Sequence, residues 1–185
     1  MSYDSTADTQ AHINRVRALI AQIQVNLEER AEQHDASKLQ SPEKEAFDIL
    51  TPRLKGLTYG SDEYRACLRE MKPALSHHYQ SNSHHPEHFD YWECNGCFRQ
   101  YPRGSEVDTC ETCLGSQFTK REGFTSVNKM TLLDVIEMLA DWKAAGERHA
   151  DGSMEKSLEH NQVRFGLTEQ LSQILKNTAR ELAWT

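Results

Sequence analysis

The sequence lacks any long apolar run, which excludes a membrane-spanning helix, because such a helix needs roughly 20 consecutive apolar residues. Residues 1–10 are polar and lack the apolar core of a secretory signal peptide. Basic residues are not in excess either, since 21 Lys and Arg stand against 28 Asp and Glu, for a net charge of −7. We therefore expect a soluble, cytoplasmic protein with no membrane partner and no broad DNA-coating surface.

Cysteine is scarce but clustered. Of five cysteines, Cys67 stands alone, and the other four form two Cys-x-x-Cys pairs: Cys94, Cys97, Cys110 and Cys113. Each pair places two thiolates on one tight turn, and two such turns complete the tetrahedral sulfur shell of a structural zinc ion. Gly96 and Gly115 are expected to supply flexibility to these turns. The spacing predicts a zinc ribbon, with a pair of redox dithiols as the alternative.

The ribbon has two interpretations. It can be a metal-stapled loop that replaces a hydrophobic core too small to form. It can also be a lid, a dimer contact, or a contact for a nucleic acid or a protein. A modest basic and aromatic patch around the cysteines supports the second interpretation: Phe98, Arg99, Tyr101, Arg103, Lys120 and Arg121.

Helical spacing dominates the rest of the chain, so we predict an all-α fold. In residues 11–32 the apolar residues recur every three or four positions, and His12 shares their face. Ser41, Ser61, Ser153 and Thr168 are predicted to start further helices. A long helix is expected over residues 130–147. Two sets of side chains are expected to face the core: Leu132, Leu133, Ile136, Leu139 and Ala140, and Leu171, Ile174, Leu175 and Leu182.

Histidines and carboxylates form a second constellation. Nine histidines are present. They include an adjacent His34-Asp35 pair with Lys38 one turn on, a His77-His78 pair, and the run His84-His85-Pro86-Glu87-His88. Asp134, Glu137 and Asp141 follow with the i, i+3, i+7 spacing of one helix face. Imidazole and carboxylate together suit Mn²⁺, Fe²⁺, Co²⁺, Ni²⁺ or Zn²⁺, and the pattern does not distinguish these ions.

Each of these signals is weak alone. His12 on an apolar face is also typical of a buried core histidine, and residues 84–88 are also typical of a solvated loop. Asp134 and Glu137 are equally typical of a solvent-facing helix. Their order along the chain strengthens the metal hypothesis, because a histidine, a His-Asp pair and a carboxylate-bearing helix follow one another.

That order resembles the HD-domain superfamily of metal-dependent phosphohydrolases. Residues 34–38 are similar to the H-D-x-x-K motif of its cyclic-dinucleotide phosphodiesterase branch. Residues 84–88 are similar to that branch's H-H-E stretch, and residues 139–141 to its last-ligand helix. The chain resembles more closely a small phage and bacterial family of unknown function with the motifs H-D-x-S-K, N-x-H-H-P-E-H, M-x-L-x-D-x-x-E-M-L-x-D-W and S-x-x-x-N-x-x-R-F. These correspond to residues 34–38, 82–88, 130–142 and 157–165.

The resemblance implies an HD-like helical bundle formed by residues 1–89 and 126–185 and interrupted by the ribbon at residues 90–125. It implies six metal ligands at the catalytic site: His12, His34, Asp35, His84, His85 and Asp141. Of these, His12, His34, Asp35 and Asp141 are expected to hold one divalent metal. His84 and His85, with His78, are expected to hold either a second metal or the substrate phosphate. We prefer Asp141 to Asp134 as the last ligand. The substrate is expected to contact Lys38, His78, Asp134 and Arg164, and catalysis to involve Asp35, Lys38, Glu87 and His88, the last two transferring protons.

The expected activity is hydrolysis of a nucleotide or related small phosphate ester by metal-activated water. Two alternatives remain open. One is an HD-fold di-iron oxygenase, which the abundant histidines and carboxylates permit. The other is a non-enzymatic binding module whose ribbon contacts nucleic acid or a protein. The sequence leaves the oligomeric state open, a homo-oligomer included.

Overall fold

The computed structural model describes residues 3–57, 61–105, 107–148 and 152–184. The chain divides into two compact units, Met1–His34 and Asp35–Thr185. Among the described residues, no helix combines the length and apolar character needed to cross a membrane.

The first unit is a single long helix. Helix α1 spans Thr6–Gln33, and none of its residues is buried. The prediction of a helix over residues 11–32 therefore holds, and the observed helix is one turn longer at its start. The expectation that His12 shares a buried face is wrong, because His12 and its apolar neighbours on α1 are exposed.

The second unit is mainly helical, which confirms the predicted fold class. Its α-helices are α2 (Glu43–Lys55), α3 (Asp62–Glu70), α4 (Lys72–Ser81), α5 (Phe124–Val127), α6 (Leu132–Gly146), α7 (Met154–Phe165) and α8 (Glu169–Glu181). Two short 3-10 helices, Ala36–Leu39 and Pro86–Phe89, lie in the connections. Helix α2 packs on α4, α6 on α7, and α7 on α8.

The predicted helix starts are mostly confirmed at atomic detail. The hydroxyls of Ser61, Ser153 and Thr168 each accept a hydrogen bond from a backbone amide in the first turn of their helix. Such capping satisfies an amide that has no partner within the helix. Ser41 is different, because Pro42 occupies the capping position of α2 and makes no side-chain cap.

A small antiparallel sheet holds the cysteine segment. Its strands are β1 (Tyr91–Cys94), β2 (Gln100–Pro102) and β3 (Phe118–Arg121), with β1 in the centre. Trp92 pairs with Tyr101 on one side and with Lys120 on the other. All three strands fall within residues 90–125, the segment predicted to form the ribbon.

The larger hydrophobic core lies among α6, α7 and α8. It includes Met138, Leu139, Trp142, Leu158 and Phe165, and the rings of Trp142 and Phe165 stack with centroids 6.1 Å apart. A smaller cluster forms around Leu50, Cys67 and Met71.

Some predicted core positions are wrong. Leu132, Ala140, Ile174 and Leu182 are exposed, whereas Leu139 and Leu175 are buried as predicted. The buried face of α6 consists of Asp134, Val135, Met138, Leu139 and Trp142. This face is displaced from the predicted one because the buried carboxylate of Asp134 caps the helix. It accepts hydrogen bonds from the Thr131 amide and hydroxyl and from the Ser83 hydroxyl.

Candidate metal centres

Four cysteines form one compact group, called here the cysteine cluster: Cys94, Cys97, Cys110 and Cys113. Their sulfur atoms all lie within 4.8 Å of one another. The Cys94–Cys113 and Cys97–Cys110 sulfur pairs are each 3.4 Å apart. Sulfurs bound to zinc at about 2.3 Å in a tetrahedron stand roughly 3.8 Å apart. The cluster can therefore hold a metal such as zinc.

The two Cys-x-x-Cys turns have matching backbones. Phe98 donates its amide to the carbonyl of Cys94, and Leu114 donates to that of Cys110, both at 2.9 Å. Phe98 and Leu114 are the residues with left-handed backbone, with φ of 60° and 58°. The expectation that Gly96 and Gly115 supply the turn flexibility is therefore wrong.

The two glycines serve a steric purpose. A Cβ atom on Gly96 or Gly115 would lie 3.2 or 3.3 Å from the sulfur of Cys113. Because this separation is tighter than ordinary van der Waals contact, the missing side chains leave room for the sulfur.

Tyr101 connects the sheet to the cysteine cluster. Its buried hydroxyl donates a hydrogen bond to the sulfur of Cys110 at 3.3 Å and accepts one from the amide of Glu111 at 3.1 Å. The hydrogen bond from Tyr101 lowers the pKa of Cys110 to about 5. Since thiolate is the form that binds metal, this contact favours metal binding.

A second group, called here the histidine cluster, contains Asp35, His78, His84 and His85. One ligand atom from each lies within 4.8 Å of those of the others. Asp35 lies just before the first 3-10 helix, with a left-handed backbone at φ 56°. His78 lies on α4, and the adjacent His84 and His85 precede the second 3-10 helix. The fold thus brings three separate segments to one point.

The atoms of the histidine cluster converge closely. Nε2 of His78 is 3.2 Å from Oδ1 of Asp35 and 2.8 Å from Nε2 of His85. Nε2 of His84 is 3.6 Å from the same Asp35 oxygen. Atoms that bind one metal at about 2.1 Å stand roughly 3.0–3.4 Å apart, so these separations fit a shared ion.

Two carboxylates orient the histidine rings from behind. Glu43 is fully buried, and its Oε2 lies 3.0 Å from Nδ1 of His78. Oε1 of Glu137 lies 3.0 Å from Nδ1 of His84. A carboxylate can only accept in these contacts, so each Nδ1 carries the proton. A metal that takes the place of any proton on Nε2 would then meet the lone pair of a neutral ring, as in carboxylate–histidine–metal arrangements.

The electrostatics of the cluster favour the metal-binding forms. Burial, together with the charges of His84 and His78, lowers the pKa of His85 to about 3, so this ring is neutral at pH 7. Burial alone would raise the pKa of Asp35, but hydrogen bonds from His78 and Lys38, with their charges, hold it well below its usual value. The lone pairs of a carboxylate oxygen and of imidazole nitrogens repel one another at these distances. A proton or a cation between them removes this repulsion.

An open pocket of about 590 Å³ lies beside Asp35. Nζ of Lys38 is 2.5 Å from Oδ2 of Asp35, whereas the imidazoles approach the other oxygen, Oδ1. The same Nζ lies 5.2 Å from the centre of the Phe47 ring. Lys55 and Arg148 add two more cations to the pocket wall and Asp48 adds one carboxylate, so three cations stand against two carboxylates, Asp35 included. The pocket therefore presents positive charge next to the histidine cluster.

The remaining predicted ligands have different positions. Asp141 has a carboxylate oxygen within 4.8 Å of one on Asp35, and its charge acts on His85. His34 follows α1 as the last residue of the first unit, and His12 lies exposed on that helix. The ligand roles of His12 and His34 stay predictions.

The residues predicted to transfer protons or bind phosphate lie in a neighbouring group. Oε1 of Glu87 forms an ion pair with Arg164 at 2.7 Å. Nδ1 of His88 donates to the carbonyl of Tyr79 at 3.1 Å, and the Tyr79 ring centre is 5.1 Å from that of His85. These residues therefore connect to the histidine cluster through Tyr79, and their catalytic roles stay predictions. Asp134, predicted to contact substrate, caps α6 as described above.

The predicted basic patch on the ribbon is largely neutralised. Each of its four cations has a carboxylate partner: Arg99 with Glu111, Arg103 with Asp90, Lys120 with Glu122, and Arg121 with Glu93. Tyr101 is buried among the cysteines. Phe98 remains exposed. A nucleic-acid contact there stays a prediction, with little net positive charge to support it.

Three supporting residues of the histidine cluster were not predicted from the sequence. Glu43 also lies 2.7 Å from Nδ1 of His77, so one carboxylate serves two adjacent histidines. Ser37 donates to Glu43 at 3.0 Å, and the Asn82 amide donates to Ser37 at 2.8 Å. Ser37 and Asn82 lie within the motifs at residues 34–38 and 82–88, so the motifs could have indicated that these two residues support the site. Glu43 follows the helix start predicted at Ser41, and nothing in its local pattern marks it as buried.

The chain matches a family model described as "Family of unknown function (DUF5662)" over residues 1–181. No curated protein and no solved structure matches the chain.

Proposed function

The chain belongs to this DUF5662 family, whose description assigns no activity, and from its own residues we propose that it is a metal-dependent phosphohydrolase of the HD type. The proposed substrate is a nucleotide or a related small phosphate ester. One observation carries the proposal: a cluster of metal-ligating atoms centred on Asp35 adjoins an open pocket in whose lining cations outnumber carboxylates by three to two.

The histidine cluster supplies the metal ligands in this proposal. Asp35, His78, His84 and His85 would hold one divalent ion, with Asp141 close enough to Asp35 to contribute. A metal bound there would activate water and neutralise phosphoryl oxygens. Glu43 and Glu137 keep the imidazole lone pairs directed at the ion.

Lys38 gives the site its preference for an anion. Its ammonium group lies beside Asp35 and within the pocket wall, where it can contact a phosphate oxygen as a point charge. Lys55 and Arg148 extend the positive charge along the wall. The pocket also has an apolar side formed by Phe47, Leu54 and Met71, which suits the uncharged part of an ester. The nucleotide assignment rests on the superfamily resemblance.

The test is a hydrolysis screen with nucleoside mono-, di- and triphosphates, cyclic nucleotides and simple phosphate esters. Each substrate is assayed with Mn²⁺, Fe²⁺, Co²⁺, Ni²⁺ and Zn²⁺ in turn. Wild type should release phosphate or hydrolyse a phosphodiester bond. Loss of a residue that only hydrogen-bonds to a metal ligand typically lowers activity roughly 10–100-fold, and Asp35→Ala should lower it by more than that. Asp62→Ala, which removes an exposed carboxylate from α3, should keep full activity.

Metal content separates the competing outcomes. Wild type should bind metal beyond the ion held by the cysteines, and Asp35→Ala should lose only that additional metal. Equal hydrolysis by wild type and Asp35→Ala would refute the assigned chemistry. Oxygen uptake by the iron-loaded protein without phosphate release would favour the oxygenase instead.

A further inference from the structure

Helix α1 presents a continuous apolar seam. Its 28 residues include none that is buried, although five apolar residues repeat with the alternating three- and four-residue spacing of a coiled coil: Ile13, Val16, Ile20, Ile23 and Leu27. Ile13, Val16, Ile20 and Ile23 are between 38 and 50 % exposed.

A single helix cannot cover such a seam with its own residues. Helices in water gain most of their stability from packing an apolar face against another element. Isolated exposed apolar side chains are ordinary on a surface, but a seam of five aligned residues is a binding surface.

The charges along α1 indicate what covers the seam. The N-terminal half carries Arg15 and Arg17 against one carboxylate, Asp8, for a net charge of +1. The C-terminal half carries three glutamates against one cation, Arg30, for a net charge of −2: Glu28, Glu29 and Glu32. A parallel pair of identical helices would place like charges together. An antiparallel pair places the basic half of each helix opposite the acidic half of the other, which is the favourable arrangement.

We propose that α1 pairs with α1 of a second copy of this chain, antiparallel, to form a symmetric dimer. A two-fold axis between Ile20 and Ile23 brings the seams into register, because it places Ile20 opposite Ile23 and Val16 opposite Leu27. The contact is isologous, because each helix gives and receives the same surface. The seam lies outside the histidine cluster, so the dimer is independent of the proposed activity.

The first test is the mass of the full-length protein in solution, measured by light scattering or sedimentation equilibrium. Wild type should have the mass of two chains. Ile20→Asp should weaken the dimer by about 100-fold or more, since both helices lose an apolar residue at the centre of the seam. Ile49→Asp, which changes an exposed isoleucine on α2, should remain dimeric.

Charge reversal tests the antiparallel direction. Arg15→Glu with Arg17→Glu gives both halves of α1 a net negative charge and should weaken the dimer at low salt. Adding Glu28→Arg and Glu29→Arg restores opposite charges between the two halves and should restore the affinity. In a parallel dimer the first pair of changes would have little effect, because like charges already face one another.

Three results would overturn the proposal. The first is a wild-type protein with the mass of one chain, or of more than two chains. The second is a dimer that Ile20→Asp leaves intact. The third is a dimer whose affinity the four charge reversals do not restore. Circular dichroism of each variant shows whether the helices remain folded, so loss of the dimer is distinguished from loss of the fold.

Discussion

The cysteine cluster and the histidine cluster are assembled in opposite ways. All four cysteines lie between positions 94 and 113, on turns joined by short strands. The ligands of the histidine cluster extend from Asp35 to His85, and the supporting carboxylates lie as far apart as Glu43 and Glu137. One cluster is a property of a short segment, and the other is a property of the folded second unit.

This difference determines how each cluster depends on metal. The ribbon has a core of little more than cysteines, Tyr101 and a few partly buried side chains, so a metal bound by the cysteines would take the place of a hydrophobic core. The histidine cluster is positioned by packed helices and a buried carboxylate. The helical unit should therefore persist without metal, whereas the ribbon should not.

The largest expected effect follows removal of one ribbon ligand. Cys110→Ser should lose one zinc per chain and unfold residues 90–125, because structural zinc contributes roughly 10–16 kcal/mol to such modules. Far-ultraviolet circular dichroism should still show the helices, while limited proteolysis should cut within the ribbon. Cys67→Ala, which changes the buried thiol outside the cluster, should keep the zinc. The two clusters would be interdependent if Cys110→Ser also removed the metal of the histidine cluster.

An intermediate effect is expected at the supporting carboxylate of the histidine cluster. Glu43→Gln preserves shape but removes the acceptor that fixes the tautomer of His78, so metal affinity there should fall about 10–100-fold. Titration with Co²⁺, followed by its visible absorption, measures this affinity. The matched control is Glu45→Gln, an exposed position on the same turn of α2. Equal affinities for Glu43→Gln and Glu45→Gln would show that the carboxylate does not orient the ring.

The smallest effect is expected at the corresponding supporting residue of the ribbon. Tyr101→Phe removes the hydrogen bond that lowers the pKa of Cys110, so protons compete better for this sulfur. Zinc should then be released at a higher pH than in wild type during an acid titration with a colorimetric chelator. A shift of up to about one pH unit is expected, corresponding to roughly 1.4 kcal/mol. Tyr91→Phe, another buried tyrosine of the sheet, should titrate as wild type does.

Local patterns in the sequence predicted local structure well. The Cys-x-x-Cys spacing identified the cysteine cluster, because both turns are closed by nearby backbone hydrogen bonds. Ser61, Ser153 and Thr168 marked helix starts for the same reason. The face of α6 was predicted incorrectly because its orientation depends on Ser83, a residue distant in the sequence that binds Asp134.

The histidine cluster was only partly predictable. His84, His85 and Asp35 were predicted to be metal ligands through motifs, and the structure brings their ligand atoms together with those of His78, which was expected to contact substrate. The role of Glu43 depends on α2 packing against α4, which no periodicity in either helix reveals. The sequence also did not predict that Phe98 adopts the left-handed backbone of the first Cys-x-x-Cys turn, because glycine is the usual residue in that conformation.

The sharing of Glu43 between two adjacent histidines offers a way to observe the site without disturbing it. His78 is buried in the cluster, while the side chain of His77 is 43 % exposed and contacts the other oxygen of the same carboxylate. A change of charge at His78 alters Glu43 and therefore the magnetic environment of the His77 ring. Nuclear magnetic resonance of that ring can thus report from the surface whether the interior site is filled.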